Sequence, residues 1–349
     1  LMYIGVFVCS NGLGHIRRVI SICTFMLRNG FEGKIDAFVF KPHLERLKNW
    51  PDCQYFRDHP NIKIINFEYP RKNNHGSISL VDKGWEEISL PDMDKYDILW
   101  SDNILDVLQK RSDAIITGSF LWHEVFENSK YSGGLRNFID YQKNLIKKHK
   151  PIMVGNEFFA TPEVRKTTRF IPVGFYRYET FLREKKTSNI LYASGLGGEE
   201  EEMFKTDLEK IINRNLRPPS KLFVEPRLLP SSYPSWIQRA NFSGEMFHSC
   251  MAACIRPGFG TISDSIVNRN QIFAFSSEDS FEMVHNCNIL QKMSLGHRCK
   301  SPFEAYQKAI SYVSDKKKVK EHIMRTAHVR TDGVYATANI ILSNGASID

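Results

Sequence analysis

Apolar residues in this chain fall into short runs, separated by stretches in which they recur three and four positions apart. Tyr3 to Cys9 is one run, Ile16 to Asn29 has the helical recurrence, and Ile35 to Phe40 is a run again. This order predicts a strand, a helix and a second strand, with a glycine turn at Asn11 to Gly14 between the first two. Runs at Ile62 to Phe67, Ile98 to Ser101, Ala114 to Thr117 and Ile152 to Gly155 extend the series. Strands apolar on both faces belong to a parallel sheet covered by helices. Arg71 to Pro91 is polar with little periodicity and reads as a long loop with some helix.

Between Pro162 and Lys186 the pattern breaks into prolines, charges and a short strand at Phe170 to Phe175, as expected of an interdomain connection. A second series then repeats the first. Asn189 to Ala193 is strand-like, Gly195 to Gly198 is a glycine turn and Glu199 to Asn213 is helical. Strands follow at Lys221 to Glu225, Ala252 to Arg256 and Gln271 to Ser276, with helices near Ser263 to Asn268 and Met283 to Met293. The expectation is an α/β protein of two Rossmann-like domains facing a central cleft. An N-terminal domain covers 1–165, a linker 166–187 and a C-terminal domain 188–333, and a last helix in 334–349 is free to pack back on the first domain.

Composition supports large cores, since 42% of the 349 residues are hydrophobic and 25% charged. No apolar run approaches the roughly 18 residues that span a bilayer. The opening residues lack the charged, apolar and small-residue regions of a signal peptide, so a cytoplasmic protein is expected. Seven cysteines without a CxxC pair fit neither a disulfide framework nor a zinc site, and Cys250 and Cys254 read as buried thiols. A net charge of +8 favours anionic partners, nucleotides among them, and allows peripheral contact with the inner face of an anionic membrane. The basic runs Lys143 to Lys150 and Lys316 to Lys320 read as solvated helix faces, and without a nucleic-acid-reading motif no nucleic-acid partner is expected.

The first glycine turn reads Gly12-Leu13-Gly14-His15-Ile16-Arg17-Arg18. Glycines there let the backbone approach a ligand, and the N–H groups at a helix start hold an anion. A dinucleotide fingerprint needs a third glycine where Arg17 stands, which disfavours a dehydrogenase. His15 brings to the turn an imidazole, a side chain suited to accepting a proton near neutral pH. The second domain carries Arg256-Pro257-Gly258-Phe259-Gly260-Thr261-Ile262-Ser263-Asp264 between a strand and a helix. Gly258 and Gly260 give a phosphate room, Thr261 is expected to cap the helix, and the carboxylate of Asp264 suits two ribose hydroxyls. At the other glycine turn the amides of Gly197 and Gly198 are expected to face the ligand, while the acids Glu199 to Glu202 point to solvent. Trp122 and His123, after a strand end at Gly118 and Ser119, are candidates for the acceptor side. Asp92 and Asp94 have the spacing of a metal-binding carboxylate pair but do not follow a strand end, so no metal is expected.

At these segments the chain resembles the GT-B glycosyltransferases, most closely the branch of MurG-type glycan transferases. Their N-terminal GxGH turn is similar to Gly12 to His15, and their C-terminal HxGxxTxxE-type motif has the spacing of Arg256 to Asp264. Their EQxxNAxxL element looks like Glu282-Met283-Val284-His285-Asn286-Cys287-Asn288-Ile289-Leu290. The resemblance implies an inverting, metal-independent transfer with no added cofactor, from a nucleotide-sugar donor to a glycan or small-molecule acceptor. His15 would then be the base. Gly12, Gly14, Gly197, Gly198, Arg256, Gly258, Gly260, Thr261, Asp264 and Glu282 would be donor-binding positions. Asp264 stands for the family's Glu, Met283 for its Gln and Arg256 for its His, so the nucleotide site is better supported than the sugar; a uridine-type donor is expected. A related hydrolase group shares the GxGHxxR turn, and a non-catalytic sugar-nucleotide-binding protein is the other alternative.

Overall fold

In the computed structural model the described residues are 1–69, 90–128, 135–177, 186–195 and 200–345. Most of the polar stretch that begins at Arg71, together with Gly197 and Gly198, lies outside them. The first series comprises β1 (Tyr3–Val8), α1 (Leu13–Arg28), β2 (Lys34–Val39), α2 (Lys41–Arg46), α3 (Pro51–Asp58) and β3 (Ile62–Asn66). It resumes with β4 (Ile98–Asp102), β5 (Ile115–Thr117), α4 (Trp122–Glu127), α5 (Arg136–His149), β6 (Ile152–Asn156), α6 (Pro162–Thr167) and β7 (Arg169–Val173). The second series comprises β8 (Asn189–Ala193), α7 (Glu200–Asn213), β9 (Leu222–Val224), β10 (Ile237–Arg239), α8 (Gly244–Ser249), β11 (Cys250–Ile255) and α9 (Phe259–Val267). It ends with β12 (Gln271–Ala274), α10 (Phe281–Lys292), β13 (Gly296–Arg298), α11 (Pro302–Ser314) and α12 (Lys316–Thr326), and α13 (Gly333–Gly345) follows.

The strands form two parallel sheets, ordered β3-β2-β1-β4-β5-β6-β7 and β10-β9-β8-β11-β12-β13. Each reverses its direction of growth beside its first strand, between β1 and β4 and between β8 and β11. The carboxyl ends of the strands at such a reversal leave the crevice where doubly wound sheets bind ligands. Both sheets are therefore Rossmann-like, and the chain divides into two compact units, Leu1–Gly174 with the segment from Asp332 onward, and Phe175–Thr331. Arg169–Val173, inside the segment read as a connection, pairs in parallel with β6 as the last strand of the first sheet.

Each unit has its own core. In the first, Phe7, Phe38, Leu99, Ile116 and Met153 of the strands pack with Phe126 of α4 and Phe138 and Ile146 of α5. In the second, Ile190, Tyr192, Val224, Cys254 and Phe273 pack with Phe204 and Leu208 of α7 and Tyr306 and Ala309 of α11. Among the described residues no helix is long and apolar enough to cross a membrane.

Candidate active site

Helix α1 starts at Leu13, three residues before the apolar periodicity begins, so Gly14 and His15 lie in its first turn and not in a preceding loop. The N-cap is Gly12, at φ 104° and ψ 159°, a conformation that only glycine adopts without strain. Gly12 has no side chain to accept from the first-turn amides. A helix start of this kind favours an anion or a developing negative charge.

His15 projects from this turn onto Asp102, the last residue of β4 and thus at the carboxyl edge of the strand beside β1. Its Nδ1 lies 2.5 Å from Asp102 Oδ1. Arg18, one turn further along α1, donates from Nε to Oδ2 at 2.6 Å and from Nη2 to Oδ1 at 2.8 Å. The Thr117 hydroxyl donates to Oδ2 at 2.8 Å and itself accepts from Trp100 Nε1 at 3.0 Å. Asp102 has no exposed surface. Burial alone would raise its pKa, but the Arg18 charge and the hydrogen bonds from His15 and Arg18 hold it down at about 2. An ionised carboxylate on Nδ1 fixes the tautomer in which Nδ1 carries the proton and Nε2 accepts one. Nε2 has no partner among the described residues, and the nearest ring, Phe120, meets the imidazole edge to face at 6.5 Å.

The sequence reading found His15 but not Asp102. Its signal was an acid closing the apolar run at Ile98, at the edge where such sheets bind ligands. Arg18 was visible in the motif without a role. His123, a candidate for the acceptor side, is 1% exposed and is a core residue. Burial, followed by the Lys143 charge, lowers its pKa to about 4, so it is not a surface base. Trp122 is buried as well, donating from Nε1 to the Asn103 carbonyl at 3.1 Å.

In the second unit the turn from Arg256 to Gly260 leaves β11 at its carboxyl end. Helix α9 begins at Phe259, so its N-cap is Gly258, and Thr261 lies inside the helix and does not cap it. Gly258 is again an N-cap without a side chain, and a Cβ there would meet nothing within 4 Å, which leaves room for a ligand. Asn286 of α10 donates to the Pro257 carbonyl at 2.9 Å and braces the turn. Asp264 is buried on α9 and Met283 is buried on α10, while Glu282 lies partly exposed in the first turn of α10.

The glycine turn after β8 is described as far as Gly195. Its Ser194 and Gly195 amides both donate to Glu225 Oε2 at 2.9 Å, and the Ser194 hydroxyl does so at 3.2 Å. Arg227 Nε donates to the other oxygen of that carboxylate at 2.9 Å. Glu200 does not point to solvent. It is 3% exposed, accepts from Ser277 Oγ at 2.8 Å, and lies 3.5 Å from Arg256 Nε. Glu225 therefore occupies the amides of Ser194 and Gly195, and Arg256 is paired with Glu200. A cavity of about 490 Å³ nearby is lined by Ser276, Ser277, Gln291 and Arg298. Another, of about 630 Å³, lies at the opposite, amino edge of this sheet beside Lys186 and Arg269, away from Gly258.

Among the described residues no group of three or more His, Cys, Asp or Glu side chains is arranged to hold a metal ion. Asp92 instead accepts from the Asp94 amide at 3.0 Å. All seven cysteines are buried free thiols.

No family model matches this sequence. No curated protein matches it either. Solved structures do match in fold. Arabidopsis thaliana UGT89C1 complexed with quercetin is similar with a TM-score of 0.59 at 12% identity, over 93% of this chain and 92% of that one. CalG4, the calicheamicin glycosyltransferase, is similar with a TM-score of 0.61 at 11% identity, over 99% of each chain. The glycosyltransferase SnogD from Streptomyces nogalater has a TM-score of 0.58 at 11% identity, over 99% of this chain and all of its own. At these identities the likeness is one of fold, and the fold is that of the GT-B glycosyltransferases.

Proposed function

We propose that this protein is an inverting glycosyltransferase that moves a sugar from a nucleotide donor, UDP-linked, to an acceptor hydroxyl without a metal or an added cofactor. The observation that carries the proposal is the His15–Asp102 pair: an imidazole whose Nδ1 lies 2.5 Å from a buried carboxylate. In the proposed step Nε2 takes the acceptor's hydroxyl proton as the acceptor oxygen bonds to the anomeric carbon. The bond from that carbon to the donor phosphate breaks, and its electron pair leaves with the diphosphate. Asp102 balances the imidazolium that forms. The donor belongs to the second unit in this reading, with the diphosphate at the uncapped start of α9 and Asp264 on the ribose. UDP-L-rhamnose in UGT89C1 and UDP in LpCGTa, neighbours of the same fold, support the choice of nucleotide. The place of action proposed is the cytoplasm.

The test begins with a thermal-shift panel of nucleoside diphosphates and sugar nucleotides, with and without chelator; a ligand at 100 times its Kd adds roughly 2.7 kcal/mol of stability. With the donor so found, His15→Ala is expected to lower turnover about 100-fold to 10,000-fold while donor affinity stays nearly unchanged. Loss of affinity together with turnover overturns the assignment of the base. Free sugar released at one rate with and without acceptor makes the protein a hydrolase instead.

A further inference from the structure

We propose that Arg18 is the positioning residue of this site: its guanidinium fixes the plane in which Asp102 meets His15. The inference rests on the reading of His15 as a base and adds how that base is poised.

Arginines at 17 and 18 leave α1 in different directions. Arg17 lies over the Trp50 ring, 5.3 Å from its centroid. Arg18 is three residues after His15 and so shares its face of the helix. It turns inward, with 6% of its side chain exposed. Turning it out to an anionic ligand would break both bonds to Asp102 and leave a carboxylate buried without its countercharge, a costly exchange.

The oxygens of Asp102 are fully used. Oδ2 accepts from Arg18 Nε and Thr117 Oγ1, and Oδ1 from Arg18 Nη2 and His15 Nδ1. A two-point guanidinium contact sets the orientation of a carboxylate in a way that a single donor does not. Without Arg18 the carboxylate keeps the Thr117 and His15 contacts alone, and it can rotate about them.

Charge leads to the same role. With a neutral imidazole the Arg18–Asp102 pair has no net charge. A protonated imidazole would stand with Arg18 Nη2 3.4 Å from its Nδ1. The charged groups in contact with His15 Nδ1 are Asp102 from β4 and Arg18 from α1, and the Cys9 thiol after β1, which feels both of those charges, is pushed up to about 12 by burial and so kept neutral. Phe120 contributes an uncharged ring. Arg18 is thus a cation 3.4 Å from the ring, and removing it leaves Asp102 as the charge in contact with His15.

The experiment uses the full chain with Arg18→Met and Arg18→Lys. Two readouts are taken, an NMR titration of the His15 ring, assigned through His15→Gln, and the pH dependence of kcat/KM. In Arg18→Met the titration midpoint and the acid limb of the profile are both expected to move upward, as loss of a neighbouring cation dictates. Arg18→Lys keeps the charge without the fork, so it should keep the parental midpoint while kcat falls about 10-fold or more. An unmoved midpoint in a folded Arg18→Met protein overturns the proposal. If Arg18→Met does not fold, the decision passes to Arg18→Lys, where parental kcat overturns it. The titration needs no substrate, so a parent protein without transferase activity would sink the functional reading and leave this one standing or falling by itself.

Discussion

A carboxylate without exposed surface is tolerated only when charge and hydrogen bonds replace the water it has lost. Asp102 has both, from Arg18, Thr117 and His15. Its folded-state pKa of about 2 lies below the usual value near 4. The stability this supplies is therefore complete above about pH 4 and is lost as the pH falls through about 2. Asp102→Asn should lack this acid-dependent component. At neutral pH it should lose about 3 to 5 kcal/mol, because it strands the buried Arg18 charge. Urea unfolding of parent and variant between pH 2 and 7 checks both statements; a constant difference across that range would show that Asp102 is not the titrating group. His15 was legible because a local motif, GxGH, carries it. Asp102 was not, because the pair is 87 residues apart in sequence and meets only through the pairing of β1 with β4.

The strands of both sheets were legible where burial on two faces gives a continuous apolar run, as at Tyr3–Val8 and Asn189–Ala193. The edge strands β10 and β13 have three residues each and leave too short a pattern to read. The starts of α1 and α9 were placed late, because the glycines at 14 and 260 suggest a loop to a propensity-based reading, yet each is helical here. Acids at the entrance to α7 read as a solvated helix start, and only the fold reveals that Glu200 turns inward and that Glu225, from the end of a neighbouring strand, holds the turn. Glu225→Gln removes the charge from that contact, and a loss of about 1.5 to 3 kcal/mol in the second unit is expected. Trp236 is the one tryptophan between Phe175 and Thr331, so its fluorescence during denaturation isolates that unit. A variant with an unshifted Trp236 transition would mean that Glu225 adds nothing net to the turn.

The units are not consecutive along the chain. After the second unit the chain returns to the first, where α13 packs on α1, β4 and β7 with Thr337, Ala338 and Ile341 fully buried. Tyr335 meets Phe25 of α1 edge to face at 5.9 Å. Ile341→Ala is expected to cost the first unit about 2 to 5 kcal/mol and to leave the Trp236 transition where it was. Equal shifts in both transitions would mean that the units unfold as one. The return of α13 also sets an order of events at the ribosome. The helix that bears His15 is made before the second unit, whereas the one that covers it is made only after the whole of that unit. At 5 to 20 residues per second, the stretch from 174 to 345 takes roughly ten to thirty seconds. The second unit has all of its sequence once Thr331 is made, before α13 completes the first, so the later-encoded unit is the one able to finish folding first, while α1 waits through that interval with an apolar flank open to chaperones.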